Sequence, residues 1–102
     1  MKVRVKPILN SILAASLFSV ITFAAATTTV EVYKSPTCGC CAKWVDHMRD
    51  HGFTVKTHDV GNKEIRKKLG MSESLGSCHT AVINGYVFEG HIPAPDIKRF
   101  LR

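Results

Sequence analysis

The stretch "GSCHTAVINGYVFEGHIP", Gly76 to Pro93, decides how this chain folds. Ala81-Val82-Ile83 and Tyr86-Val87-Phe88 are two apolar runs joined by Asn84-Gly85. Asn-Gly in that place predicts a hairpin, because both central residues of the turn take positive φ. Upstream, Thr28 to Tyr33 alternates, with Val30 and Val32 on one face, and reads as a strand. Ser35-Pro36-Thr37 breaks it. A helix then runs to about His51, with Cys41, Trp44, Val45 and Met48 as its apolar stripe and Gly52 at the capping position. Phe53 to Asp59 is a second strand. Lys63 to Leu69 is a short basic helix ended by Gly70, and Met71 to Leu75 adds a turn. Beyond the hairpin, Asp96 to Leu101 closes as a helix, with Pro93 and Pro95 ahead of it.

The order is therefore βαβαββα. A strand–helix–strand unit followed by a hairpin and a last helix predicts an α/β fold: a mixed four-stranded sheet with flanking helices. That is the order of a thioredoxin-like domain. The sequence has no internal repeat and no sign of a second domain.

The chain has 102 residues, enough for one small domain. Residues 1–26 read as a signal peptide: Lys2, Arg4 and Lys6 form a basic start, Ile8 to Phe23 is mostly apolar, and Ala24-Ala25-Ala26 offers a cleavage site. Asn10, Ser11, Ser16, Ser19 and Thr22 make the same run a poor membrane anchor. The expectation is a periplasmic domain over residues 27–102, with no stable membrane association after cleavage. Loss of Lys2, Arg4 and Lys6 lowers the formal net charge from +6 to +3, which is mild. Arg66-Lys67-Lys68 is the densest basic run, but no aromatic residues interleave with it, so a solvated helix face is expected and no nucleic acid partner.

The chemistry concentrates in "SPTCGCCAKW", Ser35 to Trp44, which holds Cys38, Cys40 and Cys41. Cys41 falls on the inward helix face; Cys38 and Cys40 fall at or before the first turn, where unpaired N–H groups favour thiolates. On a thioredoxin-like topology, Ser77-Cys78-His79-Thr80 approaches the same place, and His91 follows the hairpin. Cys78-His79-Thr80 stands where a thioredoxin-type oxidoreductase carries a proline that keeps metal out. A Cys38–Cys41 dithiol would not need Cys40. Three thiolates in so short a segment suit bridging of several ions better than wrapping one. Thiolate with imidazole selects copper(I) or zinc over hard cations, and the paired spacing of structural zinc sites is absent. Disulfide scaffolding and a redox dithiol remain the alternatives. His47 and His51 have helical metal-pair spacing, but His51 in the last turn suits the dipole, so a surface role is expected for both. His58 is expected in solvent, and Trp44 and Met48 in the core.

Together, "VYKSPTCGCCAKWVDHMRDHGF", the "LG" after the basic helix and "SCHTAVINGYVFEGHIPAPDI" resemble the CopG-type periplasmic metal-binding proteins of bacterial copper-resistance loci. The similarity runs from Val30 to Leu101, with no departure at the motif positions. It implies a thioredoxin-like fold, copper binding through Cys38, Cys40, Cys41 and Cys78 with His79 and His91 beside them, and a role in copper tolerance. Copper ions, and other periplasmic copper-handling proteins, are the implied partners. The expectation is a non-enzymatic copper(I)-binding protein, with a thiol–disulfide or copper oxidoreductase using Cys38 and Cys41 as the alternative.

Overall fold

A computed structural model describes residues 26–102 together with Ser19. The expected signal peptide otherwise lies outside the described residues. In chain order the elements are β1 (Thr29–Lys34), α1 (Gly39–Asp50), β2 (Thr54–His58), α2 (Lys63–Lys68), a 3₁₀ turn (Glu73–Leu75), β3 (His79–Ile83), β4 (Tyr86–Glu89) and α3 (Ala94–Phe100). The sheet order is β2-β1-β3-β4. β1 runs parallel to β2 and antiparallel to β3, and β3 pairs antiparallel with β4. This is the mixed four-stranded, thioredoxin-like arrangement expected from the sequence.

The local chemistry explains the turns. Asn84 and Gly85 both take positive φ, at 50° and 80°, as a two-residue hairpin with the right-handed strand twist requires. Gly52, at φ 86°, ends α1 in a conformation that side chains resist. The last helix starts earlier than expected. Pro95 lies within its first turn, where a missing N–H costs nothing, so the prolines open α3 where the sequence reading had put both ahead of it.

One core binds the layers. Val30 and Val32 of β1 meet Trp44, Val45 and Met48 of α1, Ala81 and Ile83 of β3, Phe88 of β4 and Ala94 and Ile97 of α3. The stripe Cys41, Trp44, Val45 and Met48 is the buried face of α1, as its spacing predicts. Lys67 and Lys68 of α2 are exposed, as expected of a solvated face, but Arg66 departs from that expectation: its side chain is largely covered, drawn in by the Glu89 carboxylate and the Ser72 carbonyl. On the opposite sheet surface Glu89 pairs with Arg66 at 3.6 Å and bonds the Thr80 hydroxyl, and Asn62 donates to Thr80 at 3.2 Å. These polar contacts tie α2 to the sheet.

The β1–β3 register sets Lys34 opposite His79. β1 ends at Lys34, and the cysteine loop leaves from there. Strand pairing therefore carries His79 to the mouth of that loop.

Candidate metal centre

The loop after β1 turns so that the Cys38 N–H donates to the Ser35 carbonyl at 3.2 Å. Cys38 is the N-cap of α1: its sulfur accepts from the Cys41 N–H at 3.3 Å. Cys38 and Cys41 are joined by a disulfide, while Cys40 and Cys78 are free and exposed. Cys40 Sγ lies 3.6 Å from Cys38 Sγ. Cys41 is completely buried, 3.6 Å from the Cys78 carbonyl oxygen.

His79, the first residue of β3, is also completely buried. Its ring stands 4.4 Å from Trp44 and 5.1 Å from the exposed His91, centroid to centroid. Neither ring nitrogen of His79 has a hydrogen-bond partner among the described residues. Burial, reinforced by the neighbouring His91, holds its pKa below the usual histidine value; the nearby Gly90 backbone, whose approach falls short of hydrogen-bond geometry, and then the Glu89 carboxylate pull the other way. Burial thus favours the neutral imidazole, which is the form that binds metals. An unpaired buried polar group is costly and calls for an explanation, and two orphaned nitrogens beside sulfur fit a soft cation.

Among the described residues two donor groups emerge. Cys38, Cys40 and Cys41 form one, and Cys41, His79 and His91 the other, with all donor atoms in each within 4.8 Å of one another. Cys41 belongs to both. Five of the six residues singled out in the sequence therefore converge; the sixth, Cys78, lies beside them in the chain but falls in neither group. With the disulfide closed, only Cys40 of the first group is a free thiol, so thiolate ligation by all three requires reduction.

Two contacts were not legible in the sequence. Trp44 is more than core: its indole N–H donates to the Ile92 carbonyl at 2.9 Å. His47 is not a plain surface residue either. It is half-buried, and its Nε2 accepts the Ala94 N–H at 3.0 Å. The signal available was its position three residues after Trp44, on the edge of the same stripe. His51 donates to, or accepts through, nothing in the site; its Nδ1 bonds the His47 carbonyl at 2.8 Å. His58 stacks on Tyr33 at 4.5 Å and is only partly in solvent.

Comparison with known proteins matches this arrangement. A family model described as Glutaredoxin covers residues 30–76, and one described as Protein of unknown function, DUF411, covers residues 75–102. No curated protein matches. A solved structure titled "Copper resistance protein copG- Form 2" is 37% identical, with a TM-score of 0.70 over 76% of this chain and 63% of that one. Its Form 1 counterpart is 39% identical, with a TM-score of 0.67 over 72% of this chain and 60% of that one. The chain belongs to the CopG-type family. It spans less than two thirds of the length of either CopG structure. The Glutaredoxin match ends where the DUF411 match begins, so the cysteine loop and the His79–His91 hairpin of this CopG-type chain fall to different family models.

Proposed function

We propose that the protein binds copper(I) as cargo in the periplasm and serves copper resistance by holding the ion or passing it on. The observation that carries this reading is the convergence of Cys41, His79 and His91, with both His79 nitrogens buried and unpaired. Cys38, Cys40 and Cys41 add a crowded thiol set, suited in the reduced state to bridging more than one ion. Cys78 is the remaining thiol, close enough in the chain to join when its loop adjusts. Soft donors of this kind favour copper(I), with zinc as the lesser alternative. The copper-resistance titles of the two similar structures support the same cargo. Among the described residues no helix is long and apolar enough to cross a membrane. The apolar start of the sequence supports export by a signal peptide.

The test is anaerobic loading of the reduced protein with copper(I), followed by metal analysis and alkylation of the remaining thiols. Two or more ions per chain, with all four cysteines protected, is the expected result. No retained copper, with every thiol alkylated, refutes the reading.

A second reading has its own support: the Cys38–Cys41 disulfide at a helix start and the Glutaredoxin match. Here a substrate dithiol would reduce that bond and leave as a disulfide, its two electrons and two protons going to Cys38 and Cys41. Cys40→Ser separates the two. It should weaken copper binding and leave this exchange intact.

A further inference from the structure

The donor His91 is exposed, on the segment between β4 and α3, where the Ile92 N–H bonds the Gly90 carbonyl at 3.0 Å and the Ile92 side chain packs on the core. Two contacts from α1 hold the segment beyond it. Trp44 donates to the carbonyl of Ile92, and His47 accepts from the N–H of Ala94. Both side chains lie on the helix that carries Cys41, at successive steps of three residues. The face Cys41–Trp44–His47 thus presents a sulfur donor, then a clamp on the residue after His91, then a clamp two residues further on.

The second clamp answers a specific need. Ala94 is completely buried and is the first residue of α3, so its N–H has no acceptor within its own helix. A buried N–H without a partner costs roughly 1–3 kcal/mol. His47 Nε2 is that partner, which fixes the tautomer: the ring proton sits on Nδ1. Loss of this bond would remove one of the two α1 clamps and leave the segment bearing His91 less tightly held, with the Trp44 bond to Ile92 still in place.

We propose that His47 is a positioning residue for the copper site: its Nε2, by accepting the Ala94 N–H, holds the Ile92–Ala94 segment on α1 and so keeps His91 within reach of Cys41 and His79. His47 touches no metal donor. It acts through the backbone that follows one, as an outer partner that orients a ligand. The proposal rests on His91 being a copper donor.

The test uses His47→Leu and His47→Gln in the full chain. Leucine fills the space without an acceptor. The glutamine carbonyl lies the same number of bonds from Cα as Nε2, and restores the acceptor. In metal-free protein, the Ala94 amide should exchange with solvent at least about tenfold faster in His47→Leu and near the wild-type rate in His47→Gln. Copper(I) affinity, measured by competition with a chelator, should fall about tenfold in His47→Leu, the low end for loss of an outer partner, and recover in His47→Gln. In a His91→Ala background, His47→Leu should have no further effect on affinity. An Ala94 amide that stays protected in His47→Leu overturns the proposal regardless of metal. So does failure of glutamine to rescue, because packing rather than the acceptor would then matter. So does an equal affinity loss with and without His91. If His91→Ala alone binds copper(I) as tightly as the wild type, the failing element is instead the assignment of His91 as a donor, and the exchange result still decides whether His47 holds the segment.

Discussion

Cys38, Cys40 and Cys41 sit within one turn at the exposed start of α1, whereas His79 and His91 are delivered by the two ends of a hairpin. The thiol half is local, partly in water and, in this structure, oxidised between Cys38 and Cys41. The imidazole half depends on strand register, and its inner member is buried with both nitrogens unpaired. The first half loses little by standing empty; the second carries an unmet polar demand. The difference teaches where the fold has been bent toward ligand binding. A partly solvated cysteine cluster is compatible with many roles, but a buried histidine with no partner is destabilising unless something else occupies it.

Substitutions that cut at the junction should have the largest effect. Cys41 is the one residue in both donor groups, so Cys41→Ser should lower copper(I) affinity by more than about 100-fold, beyond the range for loss of an outer partner. Chelator competition on the reduced protein reads this directly. A loss no larger than that of Cys40→Ser would mean that the two halves do not share a sulfur.

His79→Leu sharpens the contrast from the buried side. It removes two unpaired nitrogens from the interior, so the metal-free protein should gain about 1–3 kcal/mol while copper affinity falls. Urea denaturation of the metal-free variant measures the gain. A destabilised variant would show that the His79 ring contributes more through packing on Trp44 than its bare nitrogens cost.

A smaller effect should appear with pH. Burial depresses the His79 pKa in the fold, so the unfolded chain takes up that proton first. The contribution to stability is complete above about pH 6.5, the unperturbed value, and is lost as pH falls below it toward the lower native pKa. In metal-free protein the urea midpoint should therefore drop on acidification through that window, and His79→Leu should lack this component. The same slope in both proteins would assign it to other groups.

The smallest effect belongs to the exposed half. Cys40→Ser should change metal-free stability by no more than about 0.5 kcal/mol, as expected for an exposed position. Thermal unfolding checks this, and a larger loss would give Cys40 a structural role that its exposure does not suggest.

Periodicity and turn chemistry were enough to read the order of elements. The Asn84-Gly85 turn, the Val30–Val32 alternation and the Cys41–Trp44–Val45–Met48 stripe each specify local structure, and each is realised. The convergence of Cys41, His79 and His91 was legible only through the topology, since no local pattern links residues so far apart in the chain. Two misread positions have different causes. Pro95 was placed outside its helix because proline is a breaker everywhere except the first turn. His47 was assigned to the surface because its partner, Ala94, lies in another helix and offers only a backbone N–H. Side-chain contacts to a distant main chain leave no spacing in the sequence.

The strand register that places Lys34 opposite His79 also dictates the order in which the donors become available. Cys38, Cys40 and Cys41 are neighbours in every conformation of the chain, whereas His79 joins them only once β3 has docked on β1. In the proposed role, an unfolded chain already offers clustered thiolates; the folded one offers imidazole as well. Metal that the unfolded chain can hold offsets the stabilisation it brings to the native state. If copper binds as proposed, saturating copper should therefore raise the melting temperature by less than native-state affinity alone implies.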